Sequence, residues 1–271
     1  MPELPEVETT RRALAGTLEG QRIRRLLVRE PRLRQPVPAR LPQRLAGARI
    51  ETLERRAKYL LMRTEAGSAL IHLGMSGSLR ITDPAIAPEP HDHYDLILDD
   101  TLCVRYRDPR RFGLLLWAGA HPERHPLLRD IGPEPLSEDF TGEYLYIVSR
   151  TRSGPVKSLL MDSHIVAGVG NIYASEALYR AGIHPHRPAR RVALARYTAL
   201  VSAVRAVLGE AIKAGGTTLR DFYSGTGTAG YFRIQLEVYD REGESCARCQ
   251  TPIRRLVISQ RASYFCPRCQ R

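Results

Sequence analysis

A chain of 271 residues, 43% of them hydrophobic, can bury a real core in two modest domains or one large one. Its 41 basic residues against 29 acidic ones leave a net charge of +12, which points to a polyanionic partner, nucleic acid first. The longest apolar run, 114–118, is too short to span a bilayer, and the acidic start lacks the apolar region of a signal peptide. The expected setting is therefore the cytoplasm, away from any membrane.

The segment 5–18 reads as a helix. Pro5 suits the first turn, Glu6 and Glu8 suit the positive end of the helix dipole, and Val7, Ala13, Leu14 and Leu18 form a rough apolar stripe. Gly20 is the stop. Short β runs follow at 23–29, 49–56, 59–63, 69–73, 78–81, 94–98, 102–107 and 112–117, with turn signals at 65–67, 74–77 and 99–100. Many short strands with regular turns predict a sandwich or barrel. Cys103 stands alone in an apolar stretch and is expected in the core. A proline- and charge-rich stretch at 121–135 marks a linker. Helices are expected at 137–149, 155–163, 172–181 and 194–214, the last stopped by Gly215-Gly216. Residues 216–230 read as a loop, and the tail returns to short strands.

The tail carries Cys246-x-x-Cys249 and, after sixteen intervening residues, Cys266-x-x-Cys269. This is the spacing of a four-cysteine zinc site, and reduced thiols in C-x-x-C pairs favour metal over disulfide. Four thiolates saturate one tetrahedral Zn2+, so the ion should fold the tail and take no part in chemistry. Arg254, Arg255 and Arg261 lie between the pairs, where a hairpin could aim them at phosphates.

At the other end, Met before proline is normally trimmed, which would free the Pro2 amine. An α-amino group titrates near ~8, against ~10.4 for lysine, so a useful fraction is nucleophilic at neutral pH. A secondary amine that attacks an aldehyde-level sugar carbon gives an iminium, a strong electron sink that promotes elimination nearby. Glu3 stands beside it as a proton shuttle. Only three lysines occur, Lys58, Lys157 and Lys213, beside 38 arginines. A lysine can give up its proton where an arginine cannot.

Three further motifs carry weaker signals. Gly168-Val169-Gly170-Asn171 opens a helix whose free amides, with the Asn171 side chain, suit an anion. Asp108-Pro109-Arg110-Arg111-Phe112-Gly113 sets cations beside an aromatic at a turn, and Met75 sits in a glycine turn; both suit insertion into a base stack, though loop packing explains either alone. His72, His91 and His93 are, by themselves, more often structural than catalytic.

Taken in order, PELPEVETTRR, RRAKYLL, IHLGMSGSLRI, HDHYDLIL, RYRDPRRFG, GVGNIYASEALYRAGIHP, AGGTTLRDF and the cysteine tail with QRASYFC resemble the bacterial formamidopyrimidine-DNA glycosylases over nearly the whole chain. The resemblance implies an α+β multidomain protein: an N-terminal β-sandwich with flanking helices (1–132), a helix–two-turn–helix domain (133–235) and a C-terminal zinc-finger β-hairpin (236–271) with one structural Zn2+. It implies a monomeric base-excision enzyme that binds double-stranded DNA containing an oxidised purine or an abasic site. Such an enzyme removes 8-oxoguanine and formamidopyrimidines, then cuts the strand by β- and δ-elimination. Pro2 would be the Schiff-base nucleophile and Glu3 the acid/base. Lys58 would assist elimination, and Arg261 would assist the δ step and hold phosphate with Asn171. Met75, Arg110 and Phe112 would fill the gap left by the flipped nucleotide. His72, His91, Arg152 and Lys157 would touch DNA or the surroundings of the lesion, and a loop at 222–230 would close over the extruded base. At 151–154 the chain has Thr-Arg-Ser-Gly where the family commonly has lysines, which keeps charge at one position only. The closest competing reading is an endonuclease VIII-type enzyme acting on oxidised pyrimidines. The Leu4-Pro5-Glu6-Val7 start and the set of Met75, Arg110 and Phe112 favour the purine branch. A DNA-binding protein without activity is the alternative from another class, and Pro2, Glu3 and Lys58 speak against it.

Overall fold

The computed structural model describes residues 2–215 and 236–271. These form two compact units, one running through Arg129 and one comprising Asp130–Ala214 with the C-terminal segment. Helix α1 (Leu4–Leu18) begins one residue earlier than the sequence suggests. The cause is a reciprocal capping box: the Glu3 amide donates to Glu6 Oε2 at 2.8 Å, and the Glu3 carboxylate accepts from the Glu6 amide.

The strands of the first unit are β1 (Arg25–Val28), β2 (Ile50–Arg56), β3 (Tyr59–Thr64), β4 (Gly67–His72), β5 (Ser78–Thr82), β6 (Asp92–Ile97), β7 (Cys103–Arg107) and β8 (Leu114–Gly119). They pair antiparallel into two four-stranded sheets, in the orders β1-β6-β7-β5 and β2-β3-β4-β8. Inward-facing Leu53, Leu60, Met62 and Ile71 of one sheet share a core with Leu26, Leu79, Leu96 and Val104 of the other, and Leu14 and Leu18 of α1 join it. Cys103 is fully buried, and burial pushes its thiol up to about 11, which leaves it inert. Two features differ from the sequence reading. A short helix α2 (Leu41–Leu45) occupies a proline-rich stretch, and β8 starts at Leu114 because residues 108–113 form a turn with Arg111 at φ 55°.

The second unit contains α3 (Gly142–Ser149), α4 (Val156–Met161), α5 (Asn171–Arg180) and α6 (Leu194–Lys213). Helix α3 starts five residues later than the pattern from 137 suggests, since the Thr141 hydroxyl caps it by accepting from the Tyr144 amide at 3.1 Å. A double turn joins α4 to α5, and Phe140, Leu145, Leu160, Ile172, Leu178 and Leu200 fill the core among the helices. The tail forms the hairpin of β9 (Arg254–Ile258) and β10 (Arg261–Phe265), packed on α5 through Tyr179, Val238 and Tyr264. No helix among the described residues is long and apolar enough to cross a membrane.

Candidate active site and zinc centre

In the first unit, Pro2 is buried and Glu3 is 2% exposed, at the positive end of α1. The capping box holds Glu3 in one place. One turn further, Glu8 accepts from Arg11 (2.9 Å), Arg12 (2.8 Å) and Arg55 of β2 (3.2 Å). Burial pushes the Glu8 carboxyl up, but these arginines outweigh it and hold the group below the usual carboxylate range. Arg55 also donates to Ala57 O at 3.1 Å. Ala57 and Lys58 make the two-residue turn between β2 and β3, with Ala57 in the left-handed region at φ 52°. One arginine thus docks α1 against the hairpin that carries Lys58 at its tip. From sequence, Glu8 reads only as a helix-dipole residue, and Arg55 carries no assignment. Their signal is weak, because an acid and an arginine 47 positions apart carry no local pattern.

His72 closes β4 opposite Tyr59, with the rings 4.9 Å apart. It is 9% exposed. Burial first, then the charges of Lys58 and Arg34, drive its pKa down to about 4 against an upward pull from Asp108. Its Nδ1 accepts the Gly74 amide at 2.9 Å, so the neutral ring carries its proton on Nε2. The unfolded chain takes up this proton near 6.5 and the folded chain only near 4. Stability linked to His72 is thus complete above pH 6.5 and is lost as the pH falls toward 4, roughly 3 kcal/mol in all. Urea denaturation of the parent and of His72→Gln from pH 7 to pH 4 reads this directly. Parallel pH dependences for the two proteins would contradict it.

Met75, Arg110 and Phe112 lie on adjacent turns of this unit. Met75 is 39% and Phe112 43% exposed, large values for such side chains, and the Arg110 guanidinium stacks 4.9 Å from the centre of the Phe112 ring. Gly74 at φ 69° allows the turns to touch: a Cβ there would lie 2.5 Å from the Gly113 amide and the Phe112 carbonyl carbon. His91 is exposed at φ 75° on a loop whose Ile86 and Ala87 carbonyls are held by buried Arg105. His93 is internal, its Nε2 bonded to Asp108 O at 2.7 Å.

In the second unit, Asn171 is the first residue of α5. Its Oδ1 accepts from Lys157 Nζ at 2.7 Å, and its Nδ2 donates to Ala262 O at 3.0 Å. Asn171 is thereby fixed beside exposed Arg261, the neighbour of Ala262 on the zinc hairpin. The hairpin turn, Ser259-Gln260, has both residues at positive φ (47° and 61°), the twist that a two-residue antiparallel connection needs. The expectation that Lys157 touches DNA needs correction. It is 1% exposed, and its ammonium is occupied by Asn171, Ser263 Oγ (2.7 Å) and Ala262 O (3.2 Å). It positions Asn171 and the hairpin from behind. Lys157→Met would leave these acceptors buried without their donor and should destabilise the second unit by ~2–4 kcal/mol. Urea denaturation checks this; an unchanged midpoint would contradict it. Arg152 is exposed, with Asp162 3.9 Å away. The stretch 222–230 lies outside the described residues.

The four sulfurs of Cys246, Cys249, Cys266 and Cys269 lie within 4.8 Å of one another. Cys249 and Cys266 are 3.4 Å apart, and Cys246 and Cys269 3.9 Å. A four-thiolate Zn2+ with bonds of ~2.3 Å requires sulfur separations of about 3.8 Å, so the cluster fits one ion and leaves no open position. The Tyr179 hydroxyl of α5 reaches Cys246 Sγ at 3.2 Å, and Arg248 stacks on the Tyr179 ring at 4.4 Å. The metal site is thereby joined to the helix that begins with Asn171.

Comparison with known proteins matches all three parts of the chain. Residues 1–115 match the formamidopyrimidine-DNA glycosylase N-terminal domain, residues 131–223 its H2TH domain, and residues 243–271 a zinc finger found in FPG and IleRS. A formamidopyrimidine-DNA glycosylase of Methylococcus capsulatus is 55% identical over 271 residues, all of both chains. The structure of the Lactococcus lactis Fpg bound to DNA with an abasic site superposes with a TM-score of 0.92 at 33% identity, covering all of both chains. A mutant of that Lactococcus lactis protein bound to Fapy-dG DNA gives 0.92 at 34% identity, again over all of both chains.

Proposed function

The chain belongs to the formamidopyrimidine-DNA glycosylase family, and from that premise we propose that it is a bifunctional base-excision repair enzyme acting as a monomer on cytoplasmic, nucleoid DNA. It removes oxidised purines, 8-oxoguanine and formamidopyrimidines, from duplex DNA and cleaves the resulting abasic site by β,δ-elimination. The observation that carries this reading is the buried Pro2–Glu3 pair at the positive end of α1.

The Pro2 amine, freed by removal of Met1, attacks C1′ of the damaged nucleotide. The bond from C1′ to the base breaks, and Glu3 moves the proton that the departing base or the sugar oxygen needs. The sugar ring opens to an iminium on Pro2. Loss of a C2′ proton to a base expels the 3′ phosphate, and a second proton loss at C4′ expels the 5′ phosphate. Water then hydrolyses the Schiff base and returns the amine. Lys58 and Arg261 hold the phosphates whose departure ends each elimination, with Asn171 beside Arg261. Met75, Arg110 and Phe112 occupy the space left in the stack, which an enzyme must fill if it is to keep a nucleotide extruded. His72 stays neutral and presents an Nε2–H donor. The zinc, when bound, folds the hairpin that presents Arg261.

Mass spectrometry of the base released from duplexes containing single lesions tests the substrate class. Release of 8-oxoguanine and formamidopyrimidine is the expected result. Release of oxidised pyrimidines alone would move the chain to an endonuclease VIII-type activity.

A further inference from the structure

Asp108 is fully buried, and its carboxylate accepts four hydrogen bonds. Oδ1 takes Ser76 Oγ at 2.7 Å and the Arg110 amide at 3.2 Å; Oδ2 takes the Gly113 amide at 2.9 Å and the Tyr106 hydroxyl at 3.1 Å. Its backbone is tied as well, with its amide donating to His91 O and its carbonyl accepting from the Arg111 amide. Tyr106 belongs to β7, and the other three donors come from two separate turns. Ser76 follows Met75, while the amides of Arg110 and Gly113 bracket Phe112. A carboxylate offers about four acceptor directions, so every one is used and no slack is left in the joint. Gly74 packing directly on the Phe112–Gly113 peptide closes the same seam.

We propose that Asp108 is a positioning residue that latches the Met75 turn to the Arg110–Phe112 turn through Ser76, so that the three exposed side chains enter a duplex as one rigid body. The inference rests on the reading of Met75, Arg110 and Phe112 as gap-filling groups. It adds a requirement that reading lacks: the three must move together. A single buried carboxylate suits the task, because hydrogen bonds to a charged acceptor are roughly twice as strong as neutral ones. In Asp108→Asn one oxygen becomes an NH2; the hydroxyl that faces it can turn to accept, but the backbone amide of Arg110 or Gly113 that faces it cannot, so one turn loses its bond and the others lose their charged acceptor whichever way the amide turns. Ser76→Ala cuts only the link to the Met75 turn and leaves the rest of the Asp108 bonds in place.

The test is stopped-flow fluorescence of 2-aminopurine placed beside the lesion in a duplex, which reads insertion, alongside cleavage of an abasic site in a single strand, where no stack needs filling. Ser76→Ala and Asp108→Asn should slow insertion on the order of tenfold. They should leave single-strand cleavage unchanged, and Ser76→Thr should restore insertion. In the parent, Met75→Ala and Phe112→Ala combined should cost no more than the worse of the two, whereas in Ser76→Ala their effects should add. If Met75→Ala and Phe112→Ala slow insertion while Ser76→Ala and Asp108→Asn do not, the latch alone is overturned. If Met75→Ala, Arg110→Ala and Phe112→Ala also leave insertion unchanged, the gap-filling reading fails and the latch falls with it.

Discussion

Pro2→Gly is expected to lower strand cleavage at an abasic site by on the order of a hundredfold or more, with folding intact. Glycine keeps an amine, so the loss does not come from removing nitrogen. It comes from the kind of nitrogen. A secondary amine forms an iminium that carries permanent charge until hydrolysis, whereas a primary amine forms an imine that can shed its proton and cease to pull electrons. The pyrrolidine ring also fixes the direction of the amine nitrogen, while glycine at the same place would let it rotate freely. The capping box uses the Glu3 amide and carboxylate and does not involve the Pro2 side chain, so α1 should survive the change. Single-turnover cleavage of an abasic duplex, with thermal unfolding as a control, measures both halves. Cleavage at the parental rate would remove Pro2 from the chemistry.

Cys249→Ser should release the zinc and abolish tight DNA binding. Structural zinc contributes ~10–16 kcal/mol to the folding of small metal modules, far more than a hairpin of two five-residue strands supplies by itself. Without the metal, β9 and β10 lose their anchor on α5, and the Ala262 carbonyl no longer holds Asn171 and Lys157. Arg261 and Asn171 would then lose their placement together. Metal content by atomic absorption and binding to an abasic duplex by fluorescence anisotropy test this. Full affinity in a metal-free variant would show that the tail does not contact DNA.

The sequence was most legible where the chemistry is local. The zinc ligands follow from two C-x-x-C pairs, and α1 from its proline, acids and glycine stop. Strands β2 to β8 follow from short alternating runs between turns. It was least legible where one residue serves a distant one. Lys157 reads as a surface cation in a basic protein, yet it points inward because Ser263 and the Ala262 carbonyl, over a hundred positions away, complete its shell. Asp108 reads as the first residue of a turn, but its bonds to Ser76, 32 positions away, and to the Gly113 amide fit no helical or strand period. The Ser259-Gln260 turn lacks the glycine or asparagine that usually announces it; the flanking strands impose its twist. Helix α2 was missed because Pro36 and Pro38 precede it and Pro42 lies in its first turn, so its five residues owe their helicity to burying Leu41 and Leu45.

The arginine-rich composition also acquires a physical reading. Arg55, Arg105 and Arg29 are tied into carboxylate networks inside the first unit, the task that a rigid fork of donors does best. Lys58 sits at a hairpin tip beside Ala57 at φ 52°, and the Lys157 ammonium donates to Asn171, Ser263 and the Ala262 carbonyl, the task of a compact point charge.

Borohydride trapping on a duplex with one 8-oxoguanine opposite cytosine, followed by peptide mapping of the adduct, tests the central claim most directly. A covalent complex whose DNA is attached to the nitrogen of Pro2, with Met1 gone, is the predicted result. An adduct mapped to Lys58 or any other lysine, or no adduct while cleavage proceeds, would contradict it.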